Sequence, residues 1–220
     1  MLQRSTITFL KELHHNNNRP WFEANRSSYD NAKEDFQCLV EQLIREIGKF
    51  DENIATLEVK NCVFRQYRDV RFSKNKRPYK NNMGAYFNLG GRKINTAGYY
   101  IHIEPGRSFV AGGLYDPESS LLAKLRQEID YNLDDWKRIL NNRSFKKNFP
   151  SGLNKDNMIS RPPKGYDIEN PAIDYLKLKS FTVSTLIPDN ALFQLTLKAY
   201  LPGCFKSLKP MLDFLNHALA

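Results

Sequence analysis

Apolar residues recur along this chain at two different periods, and the change of period marks out its organisation. Residues 5–15 repeat at helical spacing. Ile7, Leu10 and Leu13 share a face, Phe9 flanks it, and Ser5 is placed to cap the start. Asn16, Asn17 and Asn18 end that helix, because asparagine tolerates left-handed backbone and competes for backbone hydrogen bonds. Pro20 suits the first turn of a second helix, predicted to run to about residue 50 with a kink near Ser27 and Ser28. Its apolar stripe is Phe36, Leu39, Val40, Leu43, Ile44 and Ile47, and Gly48 weakens its end.

The texture then turns to strand. Residues 61–65 form a short apolar piece, and residues 83–89 read as a strand closed by the Gly90-Gly91 turn. Residues 98–104 alternate cleanly: Tyr99, Ile101 and Ile103 point one way, Tyr100, His102 and Glu104 the other. Residues 108–114 make a further strand, ending in Gly112 and Gly113. Together these pieces predict an antiparallel meander. Helical spacing resumes after Asp116-Pro117, a cap followed by proline, with Leu121, Leu122, Leu125 and Ile129 inward. A helix over 134–140 carries Trp136, Ile139 and Leu140. Residues 151–166 are rich in loop formers, and 178–187 read as a strand. Asp189 is placed to cap a helix to about residue 201. Pro202-Gly203 is predicted to break it before a last amphipathic helix with Phe205, Leu208, Leu212 and Leu215.

This order predicts an α+β fold, an antiparallel sheet flanked by N-terminal and C-terminal helices. No repeat, low-complexity segment or charged linker divides the chain, so residues 1–220 read as a single domain. A chain of this size buries about 70% of its unfolded surface. With 41% hydrophobic and 26% charged residues, the composition excludes a disordered chain. The N-terminus lacks the apolar run of a signal peptide, and no stretch reaches the roughly 18 apolar residues of a membrane span. Cys38, Cys62 and Cys204 lie far apart and form no Cys-x-x-Cys pair, so neither a disulfide framework nor a zinc site is indicated. The expected setting is cytoplasmic, with reduced thiols and no membrane partner.

Charge changes the picture in one place. The chain carries a formal +9, which favours anionic partners. Between Arg65 and Lys80 stand seven basic residues (Arg65, Arg68, Arg71, Lys74, Lys76, Arg77 and Lys80) against the single acid Asp69, a local net of +6. Phe64, Tyr67, Phe72 and Tyr79 interleave with the cations, and Pro78 forbids a continuous helix or strand. The spacing Arg65-x-x-Arg68-Asp69-x-Arg71-Phe72-x-x-x-Lys76-x-Pro78-Tyr79 resembles the signature of an uncharacterised bacterial family, domain of unknown function 2461. Asn16 to Phe22, Tyr100 to Ile103, Pro163 to Tyr166 and Leu176 to Lys179 agree with it in order, so the resemblance covers almost the whole chain. It implies membership and no activity, because that family has none assigned. No catalytic role is carried over.

The basic stretch is the leading site candidate. Arginine pairs two-pronged with phosphate or carboxylate, and Arg65, Arg68 and Arg71 recur every three residues, so one turn would aim them together. Lys76 and Tyr79 complete the predicted cradle, with Lys74 and Lys80 widening the field and Asp69 orienting an arginine. Tyr67, Phe72 or Tyr79 could stack a base. The second candidate is His102, on one strand face with Glu104 and Tyr100, a plausible acid–base group whose same-face neighbours sit about 7 Å away. Trp21-Phe22 is read as core, and Pro163-Lys164-Gly165-Tyr166 as a rigid connection. No histidine or acidic cluster has metal-ligand spacing, and no phosphate-binding glycine loop or nucleophile elbow occurs, so neither metal nor cofactor is expected. Three functions remain open. The first is a binder of a nucleotide, nucleic acid or phosphorylated metabolite. The second is an enzyme on an anionic substrate with His102 as acid or base. The third is a structural or partner-binding module whose arginines serve the fold.

Overall fold

The computed structural model describes residues 1–219. An N-terminal helical layer comes first: α1 (Arg4–His15), α2 (Arg19–Ala24), α3 (Arg26–Gly48), and the short turns α4 (Glu52–Ala55) and α5 (Val59–Cys62). Three strands follow, β1 (Met83–Phe87), β2 (Gly98–Ile103) and β3 (Phe109–Leu114). Helices α6 (Ser119–Tyr131), α7 (Leu133–Leu140), α8 (Arg143–Asn148) and α9 (Ile173–Leu176) then intervene before β4 (Phe181–Leu186). A 3-10 turn at Asp189–Phe193 leads into α10 (Leu197–Leu219). The four strands lie side by side in chain order, all antiparallel. The fold is therefore α+β, as the periodicities predict. Among the described residues no helix is long and apolar enough to cross a membrane.

Strand alternation decides which face of the sheet is buried. Ala85, Ile101 and Val110 sit opposite one another across β1, β2 and β3, as do Phe87, Tyr99 and Gly112, and this face is the core. α10 packs across it with Leu201, Cys204, Phe205, Leu208, Met211, Leu212 and Leu215, all buried. Each large apolar side chain so removed from water contributes roughly 1.5–3 kcal/mol. α3 adds Phe36, Val40, Ile44 and Ile47, and the buried side chains join into one contiguous cluster from Leu2 to Leu215.

Several boundaries differ from the sequence expectation, each for a local reason. Ser5 does not cap α1. No side chain caps the helix; Asp35 of α3 instead ties its start down, accepting from the Gln3 N–H at 2.8 Å and from the Thr6 hydroxyl. The break in the second helical stretch falls at Asn25, whose backbone leaves the helical region and whose side chain donates to the Trp21 carbonyl. Residues 59–62 are helical rather than extended, and Val63 alone bridges to Ala85. The segment after Asp189 is a short 3-10 turn. Pro202 does not break the last helix, because α10 begins only at Leu197 and runs through both Pro202 and Pro210. Each proline forfeits one backbone bond, and the continuous buried stripe on either side outweighs it.

One glycine is dictated by geometry. Gly113 has φ +124°, and a Cβ there would lie 1.9 Å from the Phe181 carbonyl oxygen on β4. Gly113→Ala should therefore cost about 3 kcal/mol or more, read as a lowered chemical-denaturation midpoint. Gly152→Ala is the control: its φ is +65° with nothing within 4 Å. Backbone strain alone should cost that variant about 1–2 kcal/mol.

Candidate ligand cleft on the open sheet face

Among the described residues no helix covers the sheet face opposite α10. It presents Tyr86, Tyr100, Ala111 and Ser184 in one cross-strand row, and Gly84, His102 and Phe109 in the next. A cleft of about 600 Å³ opens over it. Its walls are Phe64 and Lys80 before β1, Arg92 and Ile94 to Thr96 between β1 and β2, Tyr115 after β3, and Asn154, Asp156, Asn157 and Leu178 to Ser180 ahead of β4. The floor is largely apolar and aromatic, with hydroxyls and amides spaced around it. That is the usual make-up of a small-molecule site.

A chain of hydrogen bonds runs away from the cleft floor. Tyr100 Oη lies 3.0 Å from His102 Nδ1, and His102 Nε2 lies 3.0 Å from Glu104 Oε2. Glu104 Oε1 accepts from Asn81 Nδ2 at 3.0 Å, and the same amide nitrogen stands 3.0 Å from His14 Nδ1 at the end of α1. An ionised carboxylate can only accept, so Glu104 fixes the Nε2–H tautomer of His102. The Nδ1 lone pair is then left to accept from the Tyr100 hydroxyl. The imidazole is held flat against Phe109, ring centres 4.6 Å apart, and its side chain is only 12% exposed. Burial lowers the His102 pKa from its ordinary value, with Arg107 and Lys80 adding to the effect and Glu104 opposing it. Burial, and then the charge of Glu104, push the Tyr100 phenol up to about 12. Tyr100 reaches its position across Gly84, where a Cβ would stand 2.6 Å from the phenol oxygen. No larger residue leaves that ring in place.

Cations line the wall beside Tyr100. Lys80 is half-buried with its ammonium 5.3 Å from the centre of the Phe64 ring, and Phe64 meets Tyr100 edge-on at 6.2 Å. Burial lowers the Lys80 pKa, and the charges of Arg65 and Arg92 lower it further. Arg92 donates to the Lys60 carbonyl at 2.6 Å. Among the described residues neither Lys80 nor Arg92 is in an ion pair, and Asp156 is the only acid in the lining.

Apart from Lys80, the basic stretch does not line this cleft. Arg68 donates to the Arg77 carbonyl at 3.2 Å and to the Ser73 hydroxyl at 3.3 Å. Arg71 grips Asp69 with two bonds, of 3.0 and 2.7 Å, and both side chains are exposed. Lys76 donates to the Val70 carbonyl at 3.0 Å, and Arg77 reaches the His14 carbonyl at 3.4 Å. These groups hold a surface loop in shape. Tyr79 is buried and stacked on Phe22 at 3.9 Å, so its ring belongs to the core. Arg65 is exposed, and its charge is felt at Asp69 and Lys80. The loop is pinned at its base by side-chain amides. Asn17 bonds both the N–H and the carbonyl of Tyr79 at 3.0 Å, and Gln66 donates to the Lys80 and Asn82 carbonyls. Of the cradle and acid–base residues expected from sequence, only His102 is bonded to the cleft floor. Tyr86 and Ser184 escaped sequence reasoning because they come together only through strand register, and Arg92 because only the folded connection between β1 and β2 brings it to the wall. Tyr100 was visible there as a same-face neighbour of His102.

This anchoring has a measurable consequence. Asp69→Asn, which removes an exposed charge, should leave the melting temperature indistinguishable from wild type. Asn17→Ala strips both partners from a half-buried backbone pair and should cost about 1–3 kcal/mol in a denaturant titration.

No curated protein and no solved structure matches the chain. A family described as "Conserved hypothetical protein (DUF2461)" matches residues 5–214, nearly the full length. The chain belongs to the DUF2461 family.

Proposed function

We propose that this protein binds a small organic anion in the open-face cleft, with Lys80 and Arg92 holding its phosphate or carboxylate. The observation that carries this reading is the pair of cations on one wall without a carboxylate partner. A half-buried ammonium loses hydration, and an anion in the cleft restores what burial removes. The aromatic floor of Tyr86, Tyr100 and Phe109 suits an apolar or planar body attached to the charge. A cleft of about 600 Å³ is of nucleotide size. The free cysteines Cys38, Cys62 and Cys204 support a cytoplasmic setting for such a ligand.

A second reading rests on a separate observation. Phe72 is 95% exposed at the tip of the basic loop, between Arg71 and Lys74. An exposed aromatic among cations suits stacking on a single-stranded base.

Calorimetric titration separates the two. The probes are a nucleoside monophosphate, a sugar phosphate, an aryl carboxylate and a single-stranded oligonucleotide. Under the cleft reading at least one small anion binds, Lys80→Ala and Arg92→Ala each weaken it tenfold or more, and the Phe72→Ala/Lys74→Ala loop variant binds as wild type. Under the loop reading only the oligonucleotide binds. Its affinity then falls with salt at a log–log slope of roughly −2 for three phosphates contacted, and the loop variant flattens that slope. Absence of binding to every probe at low salt overturns both.

A further inference from the structure

The bond chain from the cleft floor is more than a ligand-binding site requires. A binding site needs donors and cations facing the ligand. Here a phenol that lines the cleft has behind it an imidazole lone pair, and behind that a carboxylate that fixes the imidazole tautomer. Each link is 3.0 Å, and the imidazole and carboxylate are largely shielded from solvent, with 12% and 16% of their side chains exposed. The order is that of a nucleophile or base, its proton acceptor, and an orienting acid. Among the described residues the two innermost groups do not line the cleft themselves, and Tyr100 is the lining residue to which His102 is hydrogen-bonded. Asn81 occupies the second oxygen of Glu104, so the carboxylate cannot swing away.

We propose that the cleft is catalytic and that Tyr100 is its acid–base group, taking a proton from the bound anion while His102 receives the phenol's own proton. The substrate is a small organic phosphate or carboxylate with an ionisable hydrogen. For its substrate class this rests on the binding reading above. In the step, the substrate X–H bond breaks, its electron pair stays on X, and the proton moves to Tyr100 Oη. The Tyr100 O–H bond breaks in concert, and that proton moves to His102 Nδ1. The Nε2–H stays bonded to Glu104, whose charge stabilises the imidazolium. Lys80 and Arg92, on the adjoining wall, offset the charge that develops on X. Reversal returns the proton to the substrate or product, so the cycle needs no oxidant and no co-reactant. Tyr100 is the catalytic residue; His102 and Glu104 are positioning residues that act through it. Burial keeps the phenol protonated at neutral pH, so it gains basicity only through the imidazole behind it.

Aryl sulfonyl fluorides test this without knowledge of the substrate. The Tyr100 oxygen attacks sulfur, an S–O bond forms, the S–F bond breaks, fluoride leaves, and the phenol proton passes to His102. Two probes are used, one neutral and one bearing a carboxylate, with the modified residue identified by peptide mapping. The expected result is a single label on Tyr100, none in Tyr100→Phe, and a rate at least tenfold lower in His102→Gln. Glu104→Gln should give a smaller, several-fold loss, and it carries the test if His102→Gln does not fold.

The pH profile separates relay from packing. Around His102 the charged and titratable neighbours are Tyr100, Glu104, Lys80 and Arg107, with His14 linked through Asn81. In the wild type the rate is lost as pH falls and His102 takes up a proton. That loss comes below the ordinary value of 6.5, because burial lowers the His102 pKa. In His102→Gln the rate should instead climb only toward the ionisation of the phenol. A label on Lys80 in place of Tyr100, no label at all, or equal rates in wild type and folded His102→Gln overturns the proposal. If the neutral probe labels Tyr100 through His102 but the carboxylate probe is no faster, the relay stands and the anion reading fails.

Discussion

The register of β2 governs everything above it. Tyr99, Ile101 and Ile103 are buried beneath the sheet, and this apolar row locks the strand against its neighbours. A slip by one residue would carry the whole set to the other face. The same lock fixes Tyr100, His102 and Glu104 on the open side, in one line along the strand. Side chains two residues apart on a strand do not ordinarily touch. Here long side chains close the gap: the phenol reaches forward across Gly84, and the imidazole spans from it to the carboxylate. The chemistry of the open face is thus a consequence of core packing on the other.

The two concentrations of positive charge differ in what water does to them. In the loop from Arg68 to Arg77 the cations are mostly exposed, and several are bonded to carbonyls of the same loop. Exposed pairs such as Arg71 with Asp69 contribute little to stability, because solvent screens them. Lys80 stands where this loop returns to β1, and burial already lowers its pKa. A charge partly stripped of water is the one that gains most from a counter-ion. Counting cations along the sequence points to the loop, whereas weighing each by its hydration points to the cleft wall.

Much of the fold was legible in the sequence because periodicity is a local signal. The stripe from Phe36 to Ile47 and the alternation from Gly98 to Ile103 each reported an element and its buried face. What was not legible depended on partners distant in the chain. Asp35, rather than Ser5, anchors the start of α1 because α3 packs beside it, and Pro202 is tolerated because α10 is held by the sheet. The site divides in the same way. Tyr100, His102 and Glu104 share a strand face that alternation predicts, although their contact could not be foreseen from spacing alone. Arg92 sits after the Gly90-Gly91 turn and carries no periodic signal, so only the folded turn brings it to the wall. Tyr79 was misleading: its place among cations suggested ligand stacking, yet its ring is large and apolar enough to be drawn into the core against Phe22.

The basic loop nonetheless bears on the cleft through its exit. Arg68, Lys76 and Arg77 set its shape, and Asn17 and Gln66 clamp the backbone at Tyr79 and Lys80. The chain then delivers two consecutive residues to different parts of the site. Lys80 forms the cationic wall, and Asn81 turns to Glu104 and closes the far end of the hydrogen-bond chain. Arg77 and Asn81 both also reach His14, so the end of α1, the loop and the open face are joined at one point. A displacement of the loop base would shift the ammonium and loosen the carboxylate together. The arginines can therefore serve the cleft without touching its ligand, by holding the segment that positions Lys80 and Asn81.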